Sequence, residues 1–346
     1  MKKIAIHQAT GSFSQQWISY CQSKGIPYKI VNCYENDIVS QLDDCAALMW
    51  HHHQTSSRDP LFAKQLLFSL QQSGKVVFPD FNTGWHFDDK LGQKYLFEAL
   101  RIRGISTVAF YSRPEALKWV RHTDFPKVFK LRGGAAAANV VLVKSRAQAE
   151  GLIKRAFGKG ISQYNAWKNL KDRFSKYKAG KSNFKEVLKG VIRIFFKPKY
   201  ASVLGRERGY VYFQDYIPGN DSDIRVVIID KKAFALKRMV REGDFRASGS
   251  GIFKFDRSEF DERCIRMAFD ITSKMKAQCV AFDFVFDASS TPCVVEISYG
   301  FGTASHSCPG YWDEDLNWFE GKVRPQEWMV DAVLKQVELG ATDNIK

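Results

Sequence analysis

Asp283 has phenylalanine on both sides, in Cys279-Val-Ala-Phe-Asp-Phe-Val-Phe286, and Glu296 lies in a second apolar run, Cys293-Val-Val-Glu-Ile297. An ionised carboxylate inside an apolar strand is costly unless a cation or hydrogen-bond donors compensate it. Two of them on successive predicted strands point to a shared metal ion. Their oxygens are hard donors suited to magnesium, whose remaining partners are commonly phosphates. Four arginines of the same stretch, Arg225, Arg238, Arg241 and Arg246, offer planar forks that match phosphate oxygens two at a time. The competing reading is a structural network in which Asp283 and Glu296 each pair with one of these arginines.

Upstream lies Phe125-Pro-Lys-Val-Phe-Lys-Leu-Arg-Gly-Gly-Ala-Ala-Ala-Ala-Asn-Val-Val-Leu-Val143. It reads as a strand ending at Lys130, a loop of tiny residues that includes Gly133 and Gly134, and a second strand beginning at Asn139. Glycine and alanine let backbone N–H groups come close to a phosphate, and Lys130 adds a point charge to the same anion. Alone, such a hairpin is as readily a flexible turn. Beside the downstream acids it describes a nucleotide site.

Together with Phe213-Gln-Asp-Tyr-Ile-Pro-Gly219, Asp223-Ile-Arg-Val226 and Arg241-Glu-Gly-Asp-Phe-Arg-Ala-Ser248, these segments resemble the ATP-grasp superfamily. They are most similar to its branch that includes the glutamate ligases acting on ribosomal proteins, over residues 85–302. The resemblance implies an α/β (α+β) ATP-grasp fold. Residues 1–84 would form a small N-terminal domain with an open parallel sheet. Residues 85–157 and 210–346 would be the two α+β subdomains that clasp the nucleotide, the second carrying the metal site. The family passes almost directly from one to the other, so 158–209 reads as a basic helical insertion.

The resemblance further implies ATP and Mg2+ as cofactors, small-molecule carboxylate and amine substrates, and an acyl phosphate between them. Carried over residue by residue, Lys90 and Lys130 reach the nucleotide phosphates, with Gly133 and Gly134 in the covering loop. Gln214, Asp215 and Tyr216 border the adenine, Asp223, Arg246 and Ser248 contact the nucleotide, and Asp283, Glu296 and Ser298 hold the metal. Arg225, Arg238, Arg241 and Arg246 stabilise the reacting group. Ser248 and Ser298 stand where the family usually has asparagine, and the shorter hydroxyl arm demands a closer backbone or a bridging water. Without the resemblance, Lys90 is equally a solvated surface charge.

Charge adds a second constraint. The chain of 346 residues carries a formal net charge of +15. Between Lys154 and Arg208, sixteen Lys or Arg face only Asp172, Glu186 and Glu207, so this block holds nearly all of the imbalance. It implies an acidic partner: a phosphate-rich ligand, nucleic acid or an anionic membrane face. Phe174, Tyr177, Phe184, Val187, Leu188, Val191, Ile192 and Ile194 to Phe196 recur among the lysines at near-helical intervals. That pattern fits a helix resting on a membrane or a plain solvated subdomain, and base stacking in a basic groove less well. No apolar window is long enough to span a bilayer, and Lys3–His7 reads as a strand rather than a signal peptide. The expected location is cytoplasmic, peripheral at the inner membrane face.

The basic block favours an anionic substrate, such as an acidic sugar that receives an amino acid in cell-envelope polysaccharide assembly. The alternatives are amino-acid addition to a protein or peptide, and a non-catalytic, nucleotide-gated protein that holds nucleic acid or membrane.

Along the chain, periodicity predicts strands over 3–7, 27–31, 45–51, 75–78, 107–110, 211–216, 223–229 and 233–239. It predicts helices over 12–24, 59–73, 88–100, 114–121, 145–157, 256–276 and 327–339. His51-His52-His53 end the third strand. Alternate side chains there point to opposite faces, so the three cannot share one metal. They read as a polar strand end, or as His51 or His53 contacting an acidic substrate. The Gly-, Ser- and aromatic-rich stretch 299–313 reads as the wall of the acceptor pocket, with His306 or Asp313 toward the amine. The seven cysteines are scattered and read as structural thiols, Cys308 included.

Overall fold

The computed structural model describes all residues except 1–2, 54–55, 135–139, 165, 179–182, 196–204, 241–244, 248–249, 303–306 and 344–346, and a few helical side chains. The N-terminal part alternates strand and helix: β1 (Lys3–His7), α1 (Ser14–Lys24), β2 (Tyr28–Val31), α2 (Ile38–Gln41), β3 (Cys45–Met49), α3 (Asp59–Gln72) and β4 (Val76–Phe78). The strands pair in parallel in the order β2-β1-β3-β4. Ile4, Ala5 and Ile6 are all fully buried, as expected of a parallel strand covered on both faces.

Next come α4 (Phe81–Gly84), α5 (Lys90–Ala99), β5 (Thr107–Phe110), α6 (Arg113–Val120), β6 (Lys127–Lys130), β7 (Val141–Val143) and α7 (Arg146–Phe157). The Ser145 hydroxyl caps α7 by accepting from the Gln148 N–H. Two short strands, β8 (Ile161–Ser162) and β9 (Arg206–Glu207), pair antiparallel. Between them hang α8 (Ala166–Lys178) and α9 (Phe184–Phe195). In the basic block, α8 and α9 thus pack as a helical hairpin between two strands that pair with each other.

The remaining elements are β10 (Val211–Asp215), β11 (Ser222–Ile229), β12 (Lys232–Met239), β13 (Phe253–Lys254), α10 (Glu262–Met275), β14 (Cys279–Phe286), β15 (Pro292–Ser298), β16 (Gly310–Trp312), β17 (Trp318–Glu320) and α11 (Pro325–Asp343). A large antiparallel sheet runs β15-β14-β11-β12-β16-β17, with β13 beside β12. Strand β10 pairs instead with β5 and β6, in the sheet β5-β10-β6-β7. The sequence groups β10 with the strands that follow it. Its partners are the strands that precede the hairpin, so β10 leads from one sheet straight into the other.

Helix α10 covers one face of the large sheet. Cys264, Ile265, Ala268, Ile271 and Met275 pack on Val226, Phe282 and Phe284, and each large side chain so buried contributes roughly 1.5–3 kcal/mol. The other face packs on α11 and on the N-terminal sheet in one core that includes Ile4, Trp17, Phe234, Tyr299 and Met329. Helix α10 begins later than its apolar period predicts. Asp256 takes the Ser258 N–H and Asp261 takes the Arg263 N–H, both at 2.9 Å, so two caps divide the segment into a short 3-10 turn and the helix proper. Among the described residues no helix is long and apolar enough to cross a membrane.

Candidate active site

The two sheets face each other across a cleft of about 470 Å³, within the range of roughly 300–1,000 Å³ usual for small-molecule sites. Its walls include Lys90, Lys130, Gly134, Gln214, Asp215, Tyr216, Asp223, Arg225, Arg238, Arg246, Asp283, Glu296 and Ser298. Eleven of these lie outside the small-residue hairpin, on segments far apart in sequence, and the fold brings them to one cavity. Gly133 borders the cavity's loop but does not line it. Arg241, Ser248, His306 and the run Ala135 to Asn139 lie outside the described residues.

Asp283 and Glu296 are register partners on β14 and β15. Both carboxylates therefore leave the sheet on the face that looks into the cleft. They are held differently. Asp283 is buried, and Arg225 grips it two-point, Nε to Oδ1 at 2.7 Å and Nη2 to Oδ2 at 2.8 Å. Arg238 reaches the same Oδ2 at 2.7 Å and binds Asp223 through Nε and Nη2, each at 2.6 Å. Burial opposes the Asp283 charge, yet the two guanidiniums hold its carboxyl well below the usual range. For Asp283 the arginine network and the cleft-facing position thus coexist, whereas Glu296, expected in that network to meet an arginine, pairs with Lys90. The forks of Arg225 and Arg238, expected to be open for phosphate, are occupied by carboxylates, and only their other N–H groups remain to meet a ligand. Asp223 likewise holds Arg238.

Lys90 is 5% exposed and is not a solvated surface charge. Its ammonium donates to the Gly134 carbonyl at 3.0 Å and pairs with Glu296 at 3.2 Å. Burial works against its charge, but Glu296 and Asp88 outweigh that and raise its pKa. Lys130, also 5% exposed, differs. Among the described residues no carboxylate or hydrogen-bond acceptor meets its ammonium. Burial lowers its pKa to about 8, opposed by the charge of Glu296 and, less, of Asp283, and aided by Lys90. A buried, unmatched cation of this kind is a place where an anion gains most.

The donor set suits magnesium, since that ion often takes one or two protein carboxylates and leaves its other positions to phosphates and water. Asp283 and Glu296 are two carboxylates the cleft offers to such an ion, Asp283 with both oxygens already held by guanidiniums. Ser298 lines the cleft, but its hydroxyl donates to the Gly300 carbonyl at 2.8 Å and accepts from the Gly300 N–H at 3.1 Å, which commits it to the loop. Among the described residues no three of His, Cys, Asp and Glu cluster as a metal site.

Several contributors escape sequence reasoning. Gln93 clamps the end of β15 by donating to the Ile297 carbonyl at 2.9 Å and accepting its N–H at 3.2 Å. Its spacing from Lys90 on one face of α5 is the only signal. Asp88, at φ +54°, accepts the Gly134 N–H at 2.8 Å, and burial pushes its carboxyl up to about 6. Glu207 of β9 accepts the Arg132 N–H at 3.0 Å and the Gly133 N–H at 3.3 Å. A Cβ on Gly133 would sit 2.6 Å from the Gln163 amide nitrogen, the far end of a flexible side chain that can move aside.

The far end of the cleft reaches His51, His53, Phe87 and Phe301. Of the three histidines read as a polar strand end, His51 and His52 lie past the end of β3, which stops at Met49, and both are buried. The His51 ring stacks on Phe13 at 3.7 Å and its Nδ1 accepts the Phe13 N–H, while burial lowers its pKa to about 3. His51 is therefore neutral at ordinary pH. Asp313 is not in the cleft. It caps the turn between β16 and β17, accepting the N–H groups of Asp315 and Asn317. Burial raises the Cys308 thiol to about 12, which leaves it inert near neutrality.

Residues 192–308 match the model of the RimK-like ATP-grasp domain. No curated protein sequence matches. Among solved structures, the chain is similar to a RimK domain ATP-grasp protein from Sphaerobacter thermophilus, with 13% identity, 96% of this chain and 99% of that one covered, and a TM-score of 0.56. It is also similar to the D-alanine–D-alanine ligase of Bacillus anthracis, with 12% identity, 99% of each chain and a TM-score of 0.55. A third is the ATP-grasp ligase PsnB, solved with a precursor peptide and AMPPNP, with 11% identity, 97% of this chain and 98% of that one, and a TM-score of 0.53. At such identities the likeness is one of fold. The parallel N-terminal sheet and the two facing antiparallel sheets, with these structural likenesses, show that this chain has the ATP-grasp fold, and its residues 192–308 match a RimK-like ATP-grasp domain.

Proposed function

We propose that the protein is an ATP- and magnesium-dependent ligase that joins a carboxylate to an amine. The observation that carries this reading is the buried, unmatched Lys130 ammonium opposite the Asp283–Glu296 pair in a single cleft. Lys130 and Lys90 would neutralise the nucleotide phosphates, with the Gly134 loop over them. The β10–β11 junction at Gln214, Asp215 and Tyr216 would border the adenine, and Asp223, Arg246 and Ser248 would complete the nucleotide contacts. Asp283 and Glu296 would hold the magnesium ion, whose chemistry is to draw charge from the phosphate oxygens. The substrate carboxylate attacks the γ-phosphorus and ADP departs, forming an acyl phosphate. The amine then attacks the acyl carbon, phosphate leaves, and the nitrogen loses its proton to solvent. The free N–H groups of Arg225 and Arg238, with Arg246 and Arg241, would stabilise charge on the transferred group and the tetrahedral adduct.

The substrate class we infer is an acidic sugar that accepts an amino acid, as in cell-envelope polysaccharide assembly; its support is the chain's charge of +15. Addition of an amino acid to a peptide or protein is the second reading, favoured by the fold's likeness to PsnB, which was solved with a peptide. A non-catalytic nucleotide-gated protein rests on the serines at 248 and 298. ADP release from MgATP, screened against amino acids paired with sugar acids or with peptides, separates all three. Release with one pair names the substrates, and release with none from a protein that still binds ATP rejects the ligase reading.

A further inference from the structure

Seven of the eighteen large hydrophobic side chains exposed among the described residues fall between Trp167 and Ile192, on the hairpin of α8 and α9. Concentrated exposure of this kind marks a docking surface, where scattered exposure does not. The hairpin has an inner face of its own. Val187 is buried there, and a Cβ on Gly190 would lie 3.0 Å from both Leu170 and Arg173, so the two helices meet closely without the outer residues. Arg173 is held by Asn169 and Glu186.

The outer face of α9 carries Phe184, Leu188, Val191 and Ile192, at i, i+4, i+7 and i+8, with exposures of 62%, 52%, 39% and 50%. The Tyr177 ring of α8 meets Phe184 at 5.9 Å, which continues the stripe across the hairpin. Lys185, Lys189 and Arg193 follow the stripe one helical step away. Over residues 166–195, nine Lys or Arg face only Asp172 and Glu186.

We propose that this face docks on an anionic phospholipid surface. The helices, 13 and 12 residues long, are too short to span a bilayer, where about 20 residues are needed. They suit its interface, with apolar side chains among the acyl chains and lysines at headgroup depth. Leu188, Val191 and Ile192 have no π-face for stacking bases, which disfavours single-stranded nucleic acid. The stem of the hairpin also touches the cleft loop, since Glu207 accepts the N–H groups of Arg132 and Gly133. Docking therefore holds the cleft beside the membrane. The proposal does not rest on the ligase reading.

The test is co-sedimentation of the full chain with phosphatidylcholine vesicles, with and without phosphatidylglycerol, at low and high salt, beside binding to a single-stranded RNA. Anionic vesicles should retain at least about tenfold more protein than neutral ones. The Leu188→Glu/Ile192→Glu variant should lose about tenfold of that binding with an unchanged thermal midpoint, and Lys185→Glu/Lys189→Glu should lose part of it. Absence of binding to anionic vesicles overturns the proposal. So does equal binding by the Leu188→Glu/Ile192→Glu variant, or RNA binding without vesicle binding.

Discussion

The cleft and the hairpin draw on the same residue types, basic side chains and aromatics, and arrange them in opposite ways. In the cleft, Arg225 and Arg238 are fixed against Asp223 and Asp283, and Lys90 against Glu296, with Lys130 left over. On the hairpin, exposed lysines, among them Lys189 in a surface pair with Glu186, stand beside rings and aliphatic chains that are themselves about half exposed. Charges in the cleft are costly to disturb because water cannot replace a lost partner. Charges on the hairpin are cheap to disturb, since water solvates them already. The contrast makes graded predictions.

The largest effect belongs to Asp283. Asp283→Asn leaves Arg225 and Arg238 without their counter-charge, so ADP formation should fall to background and stability by about 3–5 kcal/mol. Urea unfolding and an ADP assay read the two. A variant that keeps both would break the comparison at its strongest point.

Lys130 comes next, and here binding and stability part. Lys130→Met should weaken ATP binding at least about tenfold while leaving the unfolding midpoint level or higher, because an unmatched buried charge has been replaced by an apolar chain of similar size. The pH dependence follows from the same group. Its folded pKa, about 8, lies below the ordinary lysine value of 10.5, so the native state binds fewer protons than the unfolded chain between those values. Its contribution to stability should therefore rise from pH 8 upward, while ATP affinity falls as the ammonium is lost. Titrations of binding and of unfolding, each compared with Lys130→Met, check the two signs.

Gln93→Ala should cost about 1–3 kcal/mol, the penalty for leaving the buried Ile297 backbone groups unpaired, measurable by urea unfolding. Smallest of all, Leu188→Glu with Ile192→Glu should move stability by no more than about 0.5 kcal/mol, as surface changes usually do. A large loss would mean that the outer stripe is part of the core, and the comparison would fail from the other side.

Much of this was legible in the chain. The apolar runs around Asp283 and Glu296 led to adjacent strands, and their opposition in register is what one apolar face on each strand requires. The alternation of the first 84 residues led to the parallel sheet. Long-range partners were not legible. The burial of Lys90, the Asp88 contact with the Gly134 N–H and the membership of β10 depend on pairings across dozens of residues, and local period carries no trace of them. The late start of α10 was missed because Asp256 and Asp261 act as caps, a local signal that the apolar period masked.

The central claim is that the cleft binds ATP through Lys130 with magnesium held by Asp283 and Glu296. Calorimetric titration of ATP into the wild type, Lys130→Met and Glu296→Gln, with magnesium and with a chelator, tests it most directly. The account predicts binding that needs magnesium in the wild type and is weakened in both variants. Binding that is equally tight in all three, and indifferent to the chelator, would contradict it.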